Sequence, residues 1–189
     1  MPHSARERLT STAIRLFTAR GLSQVGINEI IREADVARMS LYNHFGSKEE
    51  LALAAYKALS KARHDAIDAA ISSAPNPRQA ILSIFDAAEA LAREPAFRGC
   101  AFINLAAHTA SPECALAALV REHKVSLRRR FERLAAEDGH SDPAMLGRQL
   151  LALWDGALVD SFVEGDLGPI AAARAAADEL LAGRARNGA

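Results

Sequence analysis

Apolar positions recur along this chain at spacings of three and four, and never in the strict alternation of a half-buried strand. Leu9, Ala13, Leu16 and Phe17 form the first stripe. The capping box Ser4-Ala5-Arg6-Glu7 opens it and Gly21 closes it, which predicts a helix over 5–20. Ile27, Ile30, Ile31 and Ala34 form a second helix of about two turns, with Gly26 as its N-cap and Glu29 near its positive end. Ala34-Asp35-Val36 then interrupts the pattern, and Asp tolerates the left-handed backbone that a tight turn usually gives to Gly. The third helix, over 37–44, has little to bury. Val36 and Leu41 point to a core, whereas Arg38, Met39, Ser40, Tyr42, Asn43 and His44 have no evident core role. Ser47-Lys48-Glu49-Glu50 reads as a second capping box, opening a long helix through Leu51, Ala55 and Leu59 towards Ile71.

Proline and its capping partners punctuate the remainder. Asn76-Pro77 opens a helix carrying Ile81, Leu82, Ile84, Phe85, Ala88 and Leu91, which Glu94-Pro95 ends. A short helix is predicted over 96–108. Ser111-Pro112 predicts the start of a long one running to Ala136, with Leu116, Leu119, Val120, Leu127, Phe131 and Leu134 on one face. Its other face carries Arg121, Lys124, Arg128, Arg129, Arg130 and Arg133, which reads as a solvated helix face rather than a second nucleic-acid patch. Asp142-Pro143 and Gly168-Pro169 open the last two helices, and the residues after Gly183 form a small, polar tail. The prediction is an all-α chain of about nine helices.

A net charge of zero argues at first against a polyanionic partner, but the charge is unevenly placed. Residues 1–64 carry ten Lys/Arg against six Asp/Glu, a net +4, leaving −4 for the rest of the chain. Cys100 and Cys114 have no framework spacing and read as free thiols of an intracellular protein. No apolar run approaches membrane-spanning length, so a soluble, cytoplasmic protein is expected. HExxH, paired CxxC, phosphate-cradling glycine and nucleophile-elbow motifs are all lacking. His3, His44, His64, His108, His123 and His140 are scattered without ligand spacing. No catalytic residue, metal site or cofactor is therefore expected.

Two short helices joined by a three-residue turn, with a capped third helix following, give the layout of a helix-turn-helix DNA reader. Gly26 to Leu51, above all LYNHFGSKEEL at 41–51, closely resembles the DNA-binding motif of TetR-type transcriptional regulators. GCAFINLAAHTA at 99–110 and the GALV…EGD run at 156–166 are similar to one subgroup of them. The resemblance implies an all-helical homodimer, with a helix-turn-helix domain over 1–46 and a ligand-sensing and dimerisation domain over 47–189. Residues 47–72 connect them, and the last two helices pair across a two-fold axis. It further implies a repressor released from a palindromic operator by a small molecule. A same-fold activator, a ligand-independent regulator, or a small-molecule-binding protein with a vestigial reader stand as alternatives.

By the same resemblance Tyr42, His44 and Lys48 match positions that contact phosphates, and Ser40 sits where a Thr or Ser does the same. Arg38 and Met39 occupy the exposed start of the recognition helix, and Asn28 is a further contact position in some members. The chain departs from the motif at Asp35, often Gly, and at Ala37, often a capping Ser. The chemistry suits these roles. Hydroxyl and ammonium donors fix register on phosphate oxygens, while an Arg such as Arg38 can bridge guanine bidentately. Asn28 or Asn43 could pair with adenine, and Met39 could meet a thymine methyl. The bland readings are that Arg38 is merely solvated, that Tyr42 packs, and that His44 caps a helix.

For the sensing region, Phe85, Phe97, Phe102, Trp154 and Phe162 are expected around a mostly apolar pocket. Cys100, Asn104, His108 and Asp155 are its candidate polar anchors, though aromatics at helical spacing are more often plain core. If Cys100 is reactive, Arg98 is the one cation near it in sequence.

Overall fold

The computed structural model describes residues 4–109 and 111–183. Among them all regular structure is helical: α1 (Ala5–Arg20), α2 (Ile27–Glu33), α3 (Arg38–His44), α4 (Lys48–Ser72), α5 (Pro77–Ala92), α6 (Ala101–Ala107), α7 (Ala115–Glu137), α8 (Pro143–Glu164) and α9 (Gly168–Ala182). The all-α expectation of about nine helices holds. The polar tail beyond Gly183 lies outside the described residues.

Caps explain most boundaries. Ser4 and Glu7 form the reciprocal box at α1. The Asn76 side chain accepts from the Gln79 N–H at 2.9 Å and that of Asp142 from the Met145 N–H at 2.9 Å, each ahead of a first-turn proline. Two predicted starts are corrected. The short helix begins at Ala101, not 96, because Gly99 lies in the left-handed region at φ 74°. The long helix begins at Ala115, not after Ser111, because the Ser111 hydroxyl turns to Glu113 two residues on and accepts its N–H at 3.2 Å. The Cys114 sulfur then accepts from the Ala117 N–H at 3.4 Å.

The helices form two compact units. The first comprises residues up to Ala62 together with Ala101–Glu122. Within it α1, α2 and α3 pack on one another, around Leu9, Phe17, Ile30, Leu41, Phe45 and Leu51, all fully or almost fully buried. Ile27, Ile31 and Val36 are only half-buried. Phe17 stacks on Tyr56 with ring centroids 6.4 Å apart, and Tyr56 meets Phe102 edge-on at 6.0 Å. Burial pushes the Tyr56 hydroxyl up to about 12.

The second unit holds Arg63–Cys100 and the chain from His123 onward. There α5, α8 and α9 pack mutually. Phe85 is their aromatic centre, 6.0 Å from Phe131 and 6.2 Å from Trp154. Helix α8 approaches α7 at Gly147, where a β-carbon would stand 3.1 Å from the Glu132 backbone nitrogen. Ion pairs Arg78–Asp178 at 2.7 Å and Arg174–Asp86 at 2.6 Å join α5 to α9. Both are exposed enough to matter more for register than for stability. No helix among the described residues is long and apolar enough to cross a membrane.

Candidate nucleic-acid interface

The turn between α2 and α3 is built from backbone bonds that an ordinary helix end would leave unmade. The Val36 N–H reaches back to the Ile31 carbonyl at 3.3 Å and the Asp35 N–H to the Arg32 carbonyl at 3.2 Å. That pair of bonds is a Schellman motif, and it needs a left-handed residue between them. Asp35 supplies it at φ 50°, the one non-glycine positive φ among the described residues. Ala37, lacking a hydroxyl, makes no side-chain cap; only its carbonyl enters α3, accepting the Ser40 N–H at 2.9 Å.

Helix α3 has seven residues, and Leu41 alone is buried. Arg38, Met39, Tyr42, Asn43 and His44 are exposed, and Ser40 is half-buried. Met39 is 67% exposed, far beyond what an apolar side chain needs in a helix that packs on both sides. Phe45 stops the helix: its backbone is extended (φ −143°, ψ 120°) and its ring is buried. Just after it, the Ser47 hydroxyl accepts the Glu50 N–H at 3.1 Å, as predicted. The Glu50 carboxylate, however, returns to the Gly46 N–H at 2.8 Å and not to that of Ser47, so the box is offset by one residue. Lys48 is half-buried in the first turn of α4, and Asn28 is exposed in the first turn of α2.

Charge on this surface is sorted by α1. Arg15 pairs with Glu33 at 2.9 Å and Arg20 with Glu29 at 2.5 Å. The carboxylates of α2 are thereby neutralised, while Arg38 and Lys48 make no ion pair among the described residues. The arrangement offers an outward helix with free cationic and amide donors, suited to a polyanion with readable edges.

Residues 9–55 match the family model described as bacterial regulatory proteins, tetR family. The crystal structure of SCO4454, a TetR-family transcriptional regulator from Streptomyces coelicolor, matches the fold with a TM-score of 0.91 and 30% identity, covering 96% of each chain. The chain belongs to the TetR family of transcriptional regulators. As such it is a DNA-binding regulator of a homodimeric type. Among TetR-family relatives, the HTH-type transcriptional regulator LmrA of Bacillus subtilis is 35% identical over 78 residues. That match covers 41% of this chain and 42% of LmrA, under half of the relative's length. The HTH-type transcriptional repressor NemR of Escherichia coli is 25% identical over 193 residues, covering 95% of each chain.

The TetR-family sensing candidates separate. In the second unit Cys100 and Asp155 come together through Lys124, whose ammonium donates to the Cys100 sulfur at 3.3 Å and to an Asp155 carboxylate oxygen. The cation at Cys100 is thus Lys124. Arg98, the neighbour in sequence, instead lies over the Phe162 ring at 5.8 Å. Phe85 and Trp154 meet edge-on in the core, and Phe162, 45% exposed, packs on Phe97 at 6.5 Å. In the first unit Phe102 is buried against Tyr56, while Asn104 on α6 and His108 in the turn after it are exposed.

Sequence reasoning missed Lys124, His123 and His64. The ring of His123 faces that of His64 at 4.6 Å, and burial first, then nearby positive charge, holds His123 down at about 3. One signal was available. His123 falls four residues after Leu119 and four before Leu127, on the buried stripe of α7.

Proposed function

We propose that this protein is a homodimeric repressor that holds a palindromic operator through α2 and α3 and releases it when a small molecule occupies the region over 47–189. The observation carrying the DNA half is α3 itself, a helix with a single buried residue and five exposed side chains. Arg38 and Met39 would read base edges, with Asn43 and Asn28 as amide readers. Tyr42, His44, Ser40 and Lys48 would hold phosphates. The repressor sense is supported by the match along nearly the whole chain to NemR, a protein named as a repressor. A cytoplasmic location would fit such a DNA partner.

The dimer would form through α8 and α9. Met145, Gln149, Ala152, Gly156 and Val163 recur at spacings of three, four and seven on the exposed side of α8, and a β-carbon on Gly156 would meet nothing within 4 Å. Two-fold symmetry then sets half-sites in successive major grooves, roughly 34–36 Å apart. Ligand would act by favouring a state in which α4 shifts the separation of the two recognition helices, through its differential affinity for the two states. Cys100, Asp155, Phe85, Trp154 and Phe162 are the proposed ligand-facing residues of the second unit; Phe102, Asn104 and His108 are separate candidates in the first.

The test is a gel shift with the purified full chain on duplex DNA from upstream of its own gene. A specific shift that weakens with salt, with protection of a palindrome, supports the reading; no specific shift on that region or on any candidate operator overturns it.

A further inference from the structure

The core stripe of α1 runs Leu9, Ala13, Leu16 and Phe17. Arg6, three residues before Leu9, extends that stripe beyond the apolar core as an exposed cation. Its guanidinium lies 5.4 Å from the centroid of the Phe45 ring, the side chain that ends α3 and directly precedes Gly46, Ser47 and Lys48. A planar guanidinium held against a ring uses its face for that contact and keeps its in-plane N–H donors for an acceptor. Arg15 and Arg20 of the same helix spend theirs on Glu33 and Glu29. Arg6 forms no ion pair among the described residues.

Next in sequence after Phe45, the first turn of α4 carries two exposed carboxylates, Glu49 and Glu50, the latter fixed on the Gly46 N–H at 2.8 Å. A phosphate approaching Lys48 meets that negative charge, and within residues 45–50 Lys48 is the one cation to oppose it. A cation brought from α1 compensates. We propose that Arg6, delivered by α1 and positioned on Phe45, is a further phosphate-contacting residue of the DNA interface. The proposal rests on the DNA-reader assignment and adds a fourth helix, α1, to its grip.

The measurement is binding of the full chain to a fluorescein-labelled 30-base-pair duplex of mixed sequence, by anisotropy, at several salt concentrations from about 50 to 200 mM. Phosphate contacts are sequence-independent, and each contributes roughly 0.9 to the slope of log affinity against log salt. Arg6→Gln is expected to flatten the slope by about 0.9 and weaken binding roughly tenfold at the lowest salt. Arg6→Lys, which gives up the guanidinium but keeps the charge, is expected to retain the slope. Thermal midpoints of both variants report any loss of packing separately. If Lys48→Ala flattens the slope while Arg6→Gln leaves it unchanged, the reader stands and Arg6 is a packing residue only. If the wild type shows no salt-sensitive binding, the reader assignment itself falls and this proposal with it.

Discussion

Replacing His123 by glutamine removes a strongly displaced imidazole of the second unit. In the folded chain His123 is 6% exposed. It is held at about 3 against an ordinary 6.5, first by burial and then by the charges of His64, Lys124, Arg130 and Arg63. In the unfolded chain the same ring returns to about 6.5. Between those values the unfolded state binds a proton that the folded state refuses, so stability is full above 6.5 and declines as the pH falls towards 3. From about pH 7 to about pH 5.5 the loss integrates to about 1.2 kcal/mol per subunit, a midpoint shift of roughly 2–5 °C for a chain of this size. Urea unfolding followed by circular dichroism at three pH values, wild type against His123→Gln, measures it. Subunit concentration must be held fixed, because a dimer's midpoint depends on it. Glutamine changes the packing and lowers the absolute stability, but groups common to both proteins cancel in the pH dependence. Parallel curves for the two proteins over that range would refute the reasoning.

Four further outcomes are expected. Arg38→Ala should relax base preference by about 1–3 kcal/mol at one operator position, whereas Lys48→Ala should weaken all sequences alike; competition with randomised duplexes separates them. Asp35→Gly should stabilise the chain by roughly 0.5–1 kcal/mol in thermal unfolding, because it relieves a left-handed residue, and Asp35→Val should destabilise it by more. Gly147→Ala should lower the midpoint despite its better helix propensity, by about 1–3 kcal/mol, since its methyl would crowd backbone atoms of Glu132 and Arg128. Val163→Asp, on a side chain 73% exposed in the single chain, should leave that chain folded and shift sedimentation from dimer to monomer. An unchanged dimer would remove α8 from the proposed interface.

The features that were legible along the chain are those decided within a few residues. Ser4, Asn76 and Asp142 each satisfy backbone donors three positions on, so their helices could be placed from sequence. Asp35 was recognisable as a turn residue because the left-handed conformation selects side chains locally. The outward face of α3 followed from how little a seven-residue helix with one Leu can bury. Where competing local bonds existed, sequence reading slipped: Ser111 turned to Glu113 and not to a helix start, and Glu50 chose the Gly46 N–H over that of Ser47.

Only the tertiary structure could decide contacts between residues far apart in the chain. Lys124 reaches Cys100 across 24 positions and Asp155 across 31, and nothing in local periodicity distinguishes it from the arginines that follow it, a run expected to be a solvated face although Arg128 and Arg130 are paired and only 22% and 18% exposed. Arg130 of that same charged run is drawn to Asp68, 62 positions away, in a two-pronged pair. The displaced titration of His123 and the seat of Arg6 on Phe45 are of the same kind. Burial, field and cation–ring geometry belong to packed helices, whereas capping and amphipathic period belong to the chain itself.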